Sequence, residues 1–391
     1  MSDGGAVAVT VKDSRDPIGV AVIGAGSRAR FVVGQLLRDG ERVAVRSVFD
    51  PDAAVAAECA RAWERTPDIV KSAAEAIDRD DVDWVMVFSP NAYHRDHIMA
   101  GFAAGKHVFS EKPLATTIDD CRAISDAHAT SGLHFATGFV LRYAPLYRAV
   151  REHLDSGTIG RVLSIDANEN IAPDHGAYIM RNWRRHKELS GPHILEKCCH
   201  DLDLINWFAG SLPTRIAAFG GLDLFVPENR DLVDRFRGDD GRSVFGGWND
   251  PHAVDCPFSS DKSIMDTLVS IIEYRNGVKV QFQATMSNAI PERRMYLSGS
   301  EGTMIAELYT GSLRVRRLGE AEQAVDATGG GHGGGDSFIM KELYRTMTDG
   351  VPPACSGEEG LQSAVVALTI DEAAESGRVI DLEPVWGSLG R

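Results

Sequence analysis

Residues 18–29 carry the stretch that decides the fold, IGVAVIGAGSRA, in which an apolar strand runs directly into a glycine turn. The turn has the pattern Gly24-x-Gly26-x-x-Ala29, with Ser27 and Arg28 at its last two variable positions. The first glycine permits the tight turn, the second leaves room for a pyrophosphate, and the alanine keeps helix and strand close. Phosphates would meet the unpaired N–H groups of the helix start. We therefore predict dinucleotide contacts at Gly24, Gly26, Ser27 and Arg28.

An acidic residue at the end of the next strand selects the dinucleotide. Asp50 follows the strand-like residues 43–49, and helical patterns at 29–38 and 53–65 complete a strand-helix-strand unit. Its carboxylate is placed to accept hydrogen bonds from the ribose hydroxyls and would repel a 2′-phosphate. The sequence thus predicts NAD rather than NADP. A plain structural turn is the alternative, which the complete unit disfavours.

The bulk properties are those of a two-domain enzyme. The chain has 391 residues, is 43% hydrophobic and carries a net charge of −15, which disfavours nucleic-acid and anionic membrane surfaces as partners. No apolar run approaches the ~20 residues of a membrane span. The first 16 residues lack the basic and apolar regions of a signal peptide. We expect them to be a disordered tail and the protein to be cytoplasmic.

The cysteines indicate reduced thiols rather than a metal site. Six are present, at positions 59, 121, 198, 199, 256 and 355, without C-x-x-C or similar zinc spacing. Cys198 and Cys199 are adjacent, and neighbouring residues on a helix point about 100° apart. We expect both to be packing residues and predict no metal.

Polar groups follow three further apolar strands of the first domain. Those strands are predicted at 82–88, 106–109 and 133–140. The groups that follow them in chain order are Ser89, Asn91 and His94, then Glu111 and Lys112, then Arg142. Ligands bind at the carboxyl ends of strands in a doubly wound sheet, so these six residues are predicted cofactor contacts.

Together these motifs resemble the Gfo/Idh/MocA family of NAD(P)-dependent oxidoreductases. The resemblance rests on Gly24-x-Gly26, Ser89-Pro90-Asn91 followed by His94, Glu111-Lys112-Pro113 and the segment 138–145. It covers most of the chain, and the Glu-Lys-Pro triplet is its most specific sign. It implies a Rossmann domain, a second domain built on a large open sheet that commonly makes oligomer contacts, and sugars, polyols or related rings as substrates. A homodimer or homotetramer is expected on that basis.

The second half of the chain has strand-like periodicity that supports this division. The runs are 161–167, 215–219, 268–274, 278–285, 294–299 and 303–307. Asn276-Gly277 predicts a hairpin, and helical patterns return at 337–348, with Asp336 as N-cap, and at 361–376. We predict an α/β Rossmann domain at 17–142 and, at 143–391, an α+β domain with a large open, mainly antiparallel sheet for substrate binding and oligomerisation.

The segment 190–207, SGPHILEKCCHDLDLINW, is the best candidate for the chemistry. Ser190 as a cap and Pro192 in the first turn predict a helix that places Glu196, His200 and Asp203 on one face. A solvated surface is the alternative. The resemblance favours a site, because the family motif has an acidic residue four positions before a histidine and an aspartate three positions after it. The family usually has Asp at the position of Glu196 and Gly near Cys198.

Oxidation of a secondary alcohol requires a base for the hydroxyl proton, and histidine titrates near neutral pH. We therefore predict His200 as the base. Lys112 would donate a hydrogen bond to the same oxygen and stabilise its developing charge, and Glu196 would orient the sugar or His200. The alternatives are a surface lysine and a core histidine.

Further substrate contacts are predicted in a basic segment and a glycine-rich loop. Residues 178–187, YIMRNWRRHK, suggest an anion pocket, with Tyr178, Trp183, Arg184 and Arg185 as contacts; a solvated basic face that pairs with acidic loops is the alternative. In GGGHGGGD, residues 329–336, His332 either touches substrate or lies in a flexible tether. The long segment 227–257 is either a lid or a disordered insertion.

Three functions follow from these patterns. The first is an NAD-dependent dehydrogenase that acts on a secondary hydroxyl of a sugar or glycoside, which could be anionic. The second is an NAD-requiring glycoside hydrolase that works by oxidation, elimination, water addition and reduction. The third is a non-catalytic NAD-binding sensor, which would not need Lys112, Glu196 and His200. We favour the first.

Overall fold

The computed structural model describes residues 16–248 and 253–391. The predicted tail, residues 1–16, lies outside the described residues except for Asp16. Contacts divide the chain into two compact units. The first runs up to Val140 and includes Gly335–Leu361, and the second comprises Leu141–Gly334 and Gln362–Arg391.

The first unit is built around a six-stranded parallel sheet in the order β3-β2-β1-β4-β5-β6. The elements up to residue 140 are β1 Ile18–Ile23, α1 Ser27–Asp39, β2 Val43–Phe49, α2 Ala53–Ala62, β3 Asp68–Ile69, α3 Ala73–Ile77, β4 Trp84–Val87, α4 His94–Ala103, β5 His107–Ser110, α5 Ile118–Ser131 and β6 Phe135–Thr137. Every residue of β1 and β4 is buried, as expected for central parallel strands covered on both faces. The predicted Rossmann domain is confirmed.

One strand of this sheet is shorter than predicted. The expected strand at 133–140 ends at Thr137, and a short 3-10 helix begins at Val140. Gly138 separates the two, and a Cβ there would lie 2.9 Å from a carboxylate oxygen of Glu111. The close approach of that carboxylate explains the glycine at the end of the strand.

The second unit holds a nine-stranded sheet in the order β14-β13-β12-β11-β7-β10-β9-β8-β15. Its strands are β7 Val162–Asn170, β8 Pro213–Gly221, β9 Thr267–Tyr274, β10 Lys279–Thr285, β11 Arg294–Gly299, β12 Gly302–Glu307, β13 Ser312–Arg317, β14 Gln323–Asp326 and β15 Ile380–Asp381. Only the pair β7 and β10 is parallel among the described strands of this sheet. The predicted open, mainly antiparallel sheet is confirmed.

The predicted hairpin joins β9 to β10. Gly277 has a φ of 85°, which favours glycine. The side chain of Asn276 accepts a hydrogen bond from the Val278 amide at 3.3 Å, which closes the turn.

The remaining helices follow in chain order. They are α6 Pro145–Asp155, α7 Pro173–Arg181, α8 Lys187–Ser190, α9 His193–Glu196, α10 Cys199–Ala209, α11 Leu232–Arg235, α12 Gly335–Asp349, α13 Gly357–Ser376 and α14 Glu383–Ser388. Helix α12 packs against α1 within the first unit. It begins before the predicted start, so Asp336 lies in its first turn instead of capping it. No helix among the described residues is long and apolar enough to cross a lipid bilayer.

The expected single helix over 190–207 is wrong. Gly191, with φ 73°, ends α8, and a break at Lys197 and Cys198 separates α9 from α10. Ser190 is not an N-cap, because its hydroxyl donates to the carbonyls of Arg184 and His186 at 2.9 and 3.0 Å. Gly191, which readily adopts a positive φ, is a local signal for the end of α8, whereas no glycine or proline marks the break at Lys197 and Cys198.

The described part of segment 227–257 is folded. Phe245 packs edge-to-face on Phe225 and Phe258, with ring centroids 6.0 and 5.1 Å apart. All three rings are at most 5% exposed. The disordered-insertion interpretation therefore fails for the residues that flank 249–252. None of the six cysteines, all within the described ranges, forms a disulfide.

Candidate active site

The fingerprint turn has the geometry of a phosphate cradle. Gly24 has a φ of 87°, and a Cβ there would lie 2.8 Å from backbone atoms of Phe88 and Ser89. Gly26 precedes the first residue of α1, and a Cβ there would meet nothing within 4 Å. Gly26 and Ser27 are both exposed. The start of α1 is thus open to a ligand, and these residues fit a dinucleotide phosphate.

Asp50 is held beside this turn. One carboxylate oxygen accepts from the Ala25 amide at 2.8 Å, and the other accepts from the Asp52 amide at 2.9 Å. Each oxygen keeps a further lone pair. The half-buried carboxylate can therefore accept ribose hydroxyls while it remains fixed to the turn.

Arg28 binds two acidic residues of its own unit. Its Nε donates to Glu111 at 2.6 Å and its Nη1 donates to Asp336 at 2.8 Å. Burial lowers the pKa of Arg28, but the two carboxylates outweigh burial and raise it above the ordinary value. Arg28 thereby links the fingerprint turn to the Glu-Lys-Pro triplet and to α12.

His94 lies between two loops at the carboxyl ends of β4 and β5. Its ring nitrogens lie 2.8 Å from the carbonyl of Pro113 and 2.9 Å from the carbonyl of Ser89. Burial lowers its pKa. The structure thus gives His94 a positioning role for the loop that carries Lys112, which is half-buried and precedes a cis proline. Asn91 begins a short 3-10 helix nearby and is 4% exposed.

In the second unit Arg142 pairs with Asp203. Its Nε and Nη2 donate to the two carboxylate oxygens at 2.8 Å each, and its guanidinium carbon lies 5.2 Å from the Trp207 ring centroid. Such a bidentate pair fixes both groups. Arg142, predicted as a cofactor contact, is thus held by a residue of the 190–207 segment.

Glu196 belongs to a second network that contains three other predicted residues. Arg184 donates from Nε to Glu196 at 2.9 Å and from Nη1 to the Tyr178 hydroxyl at 3.0 Å. The guanidinium carbon also lies 4.5 Å from the Trp183 ring centroid. The structure therefore brings Tyr178, Trp183, Arg184 and Glu196 together.

His200 lies in α10, close to the glycine-rich loop. Its ring centroid is 5.8 Å from that of His332, which has a φ of 51°. Glu196, His200 and Asp203 are 7, 3 and 2% exposed, respectively. The solvated-surface alternative is therefore wrong for this motif.

The other cations of the basic segment bind protein groups. Arg185 donates to the carbonyl of Asp261 at 2.8 Å and to its carboxylate at 3.1 Å. Lys187 forms ion pairs with Asp371 and Glu375 at 2.5 and 2.6 Å. Arg185 and Lys187 thus pair with acidic groups, but Arg185 is buried rather than solvated and the partners of Lys187 lie in α13 instead of a loop.

A buried charge network next to the motif was not foreseen. Glu169 of β7 forms ion pairs with Lys197 at 2.9 Å and with Arg293 at 3.2 Å. Arg293 also donates to Asp201 at 2.8 and 2.7 Å. Burial opposes the charge of Glu169, yet the two cations hold its pKa below the usual range. Burial raises the pKa of Asp201 to about 7.

Ligand atoms of Glu169, Cys198 and Asp201 all lie within 4.8 Å of one another. Two cations already occupy the neighbourhood of this group, and burial raises the pKa of the Cys198 thiol well above its ordinary value. The network is therefore built for internal charge pairing. Glu169 lies beyond the predicted strand 161–167 and Asp201 lies within the predicted helix 190–207, so no sequence pattern pointed to this network or to Arg293.

Family profiles match both halves of the chain. Residues 18–139 match the Gfo/Idh/MocA oxidoreductase family with its NAD-binding Rossmann fold, and residues 151–382 match the C-terminal alpha/beta domain of the same family. The predicted cofactor, NAD, is confirmed by this match.

Individual relatives span most of the chain. A putative oxidoreductase, YteT of Bacillus subtilis (strain 168), is 25% identical over 83% of this chain and 88% of its own. The 1,5-anhydro-D-fructose reductase of Ensifer adhaerens is 25% identical over 80% of this chain and 84% of its own. Levoglucosan dehydrogenase, solved with NADH and levoglucosan, is 19% identical with a TM-score of 0.78 and covers 94% of this chain and 100% of its own. The last likeness shows the shared fold.

Proposed function

We propose, since the chain belongs to the Gfo/Idh/MocA oxidoreductase family, that it oxidises a secondary hydroxyl of a sugar or glycoside with NAD. The observation that carries this proposal is the burial of Glu196 and His200 within one short stretch, beside Arg184 and Tyr178. The names of the reductase and dehydrogenase relatives, both of which concern anhydrosugars, support the substrate class.

The cofactor would be held by the first unit. Gly26 and Ser27 leave the helix start open to the phosphates, and Asp50 offers its carboxylate to the ribose hydroxyls. When bound, NAD supplies the acceptor for the hydride that leaves the sugar carbon. A carboxylate at this position disfavours the additional phosphate of NADP.

We assign to His200 the role of accepting the proton of the sugar hydroxyl. As the hydride leaves, the hydroxyl loses its proton, and an imidazole is a suitable acceptor near neutral pH. The neighbouring ring of His332 makes the environment of the His200 imidazole polar. Glu196 orients either the sugar hydroxyls or the imidazole of His200. Lys112 is proposed as the hydrogen-bond donor to the reacting oxygen, as the family resemblance implies.

The charges around Glu196 favour a neutral sugar. Arg184 already binds Glu196 and Tyr178, Arg185 binds Asp261, and Lys187 binds two carboxylates. An anionic substrate would have to displace these partners and leave a carboxylate without compensation. We therefore propose an uncharged substrate rather than a carboxylate, sulfonate or phosphate.

The test is a substrate screen with product analysis. Purified protein with NAD is offered neutral monosaccharides, disaccharides and aryl glycosides, and both NADH absorbance and aglycone release are followed. The proposal predicts NADH in proportion to sugar oxidised. Aglycone release without net NADH would instead establish the redox-neutral hydrolase, and bound NAD with neither product would establish the sensor.

The homodimer or homotetramer and the cytoplasmic location remain predictions.

A further inference from the structure

An exposed tryptophan is fixed next to the Glu196 network. Trp248 is 48% exposed, yet its ring lies 4.7 Å from the Tyr178 ring in a stacked arrangement and 4.4 Å from the His175 ring. Its Nε1 donates to the Asp174 carboxylate at 3.3 Å. A large aromatic side chain that is exposed and held by three neighbouring side chains is suited to binding a ligand.

The backbone on both sides of Trp248 is fastened to helix α7. Arg181, the last residue of α7, donates to the carbonyls of Gly246 and Val254, and its own carbonyl accepts from the Val254 amide at 2.8 Å. Gly247, with φ 70°, approaches so closely that a Cβ would lie 3.1 Å from the Tyr178 amide nitrogen. The indole is therefore placed by the fold rather than by chance at a loop tip.

A chain of contacting side chains connects Trp248 to the proposed sugar contacts. Tyr178 lies against the indole on one side, and its hydroxyl accepts from Arg184, which in turn donates to Glu196. Asp174 is exposed at the indole edge and can accept hydrogen bonds from sugar hydroxyls. Burial lowers the pKa of His175 to about 3, so the imidazole against the indole is uncharged at neutral pH.

We infer that Trp248, with Asp174 at its edge, forms a second sugar subsite beside the Glu196 network. An apolar ring face bordered by a hydrogen-bond acceptor matches a pyranose, whose C–H face is apolar and whose rim carries hydroxyls. The substrate is then a glycoside of at least two sugar rings, with the oxidised ring at Glu196 and its neighbour on Trp248. This inference rests on the proposed function, in which Glu196 contacts the oxidised sugar.

The test is a calorimetric titration that does not depend on turnover. Wild-type protein with NAD is titrated with D-glucose, D-galactose, cellobiose, maltose and lactose. We expect at least one disaccharide to bind about tenfold more tightly than either monosaccharide, a difference of about 1.4 kcal/mol. Trp248→Ala should remove this gain and leave monosaccharide affinity within about twofold, whereas Trp248→Phe should keep most of it.

Phe236→Ala is the matched control, because Phe236 is an aromatic residue of the same segment that is 45% exposed. This variant is expected to leave the affinity for every sugar unchanged. The inference is overturned if wild type shows no preference for a disaccharide, if Trp248→Ala keeps that preference, or if it weakens all sugars equally. Failure of the proposed function has another signature. In that case no sugar yields NADH, whereas the Trp248-dependent affinity for a disaccharide persists.

Discussion

The guanidinium of Arg184 donates to the carboxylate of Glu196 at 2.9 Å, and both side chains lie in the second unit. The pairing bears on the function of the basic segment 178–187. Its Arg184 binds an acidic residue of the protein rather than standing open to an anionic substrate. One carboxylate oxygen of Glu196 thus accepts a hydrogen bond from a cation. The first prediction concerns that carboxylate.

Glu196→Gln keeps the shape of the side chain and removes its charge. We expect kcat/KM for the sugar to fall by about tenfold or more, because a charged acceptor for sugar hydroxyls is lost. NADH affinity, measured by fluorescence titration, should stay unchanged. Glu188→Gln is the control, since Glu188 is an exposed acid nearby, and equal kinetics of the Glu196 variant and wild type would remove Glu196 from the site.

Lys112→Met tests the other proposed polar contact. Loss of the donor to the reacting oxygen should lower kcat by about 100-fold, in line with the electrostatic terms measured in other enzymes. The methionine keeps the aliphatic length, so the fold should be preserved, which circular dichroism checks. Lys106→Met is the control, because Lys106 donates only to the carbonyls of Arg79 and Val82. Wild-type turnover of the Lys112 variant would refute its role.

Asp50→Asn should relax the choice of cofactor. The amide oxygen can still accept one backbone hydrogen bond, but the charge that repels a 2′-phosphate is gone. We expect the ratio of NADPH to NADH dissociation constants to fall by about tenfold or more. Asp52→Asn, at the N-cap of α2, should leave the ratio as it is. An unchanged ratio in Asp50→Asn would show that the ribose contact lies elsewhere.

A buried histidine should make stability depend on pH. Burial lowers the pKa of His193 to about 4, with Glu196, Glu169, Lys197 and Asp266 as its charged neighbours, whereas an unfolded histidine titrates near ~6.5. Between these values the unfolded chain binds more protons, so stability is present above pH ~6.5 and is lost as the pH falls below it, by at most about 1.4 kcal/mol per pH unit.

His193→Leu removes this proton linkage. Both ring nitrogens of His193 are buried without a hydrogen-bond partner among the described residues, so leucine should cost little at pH 7.5. Between pH 7.5 and 5.5 the variant should lose about 1 kcal/mol less unfolding free energy than wild type, as urea unfolding would measure. Equal losses in the two proteins would contradict the assignment.

We expect the buried ion pairs of Arg293 to contribute more to the free energy of unfolding than an ion pair at the surface. Arg293→Met leaves Glu169 and Asp201 without this cation, and we expect a loss of about 3–5 kcal/mol in urea unfolding. The control is Arg275→Met, because Arg275 pairs with Glu383 at the surface, where water screens the interaction. The two variants should differ clearly in unfolding midpoint, and similar midpoints would count against the network.

The sequence predicted the sheets better than the site. The run from Ile18 to Ile23 is apolar throughout because both faces of the central strand are covered, and Asn276-Gly277 strongly favours a hairpin through its local backbone preference. Such signals can be read from the sequence because they depend on residues that are neighbours in the chain. The end of α8 at Gly191 depends on a positive φ that glycine readily adopts, and apolar periodicity alone does not reveal it.

The site shows the same division. Gly26 and Asp50 can be predicted as cofactor contacts because their spacing is set by one strand-helix-strand unit. The contacts of Arg184 with Glu196 and of Trp248 with Tyr178 join residues that are 12 and 70 positions apart. Nothing in either segment identifies its partner, so only the folded chain reveals these pairs.

Hydride transfer from the sugar to NAD can be followed with one hydrogen isotope. The sugar with the highest rate in the screen is supplied fully deuterated at carbon, and the NADH formed with wild-type protein is examined by proton NMR. Direct hydride transfer to NAD predicts one deuterium at C4 of the nicotinamide for each sugar oxidised. Sugar consumption without deuterium at C4 would contradict direct transfer to NAD, and with it the proposed dehydrogenase.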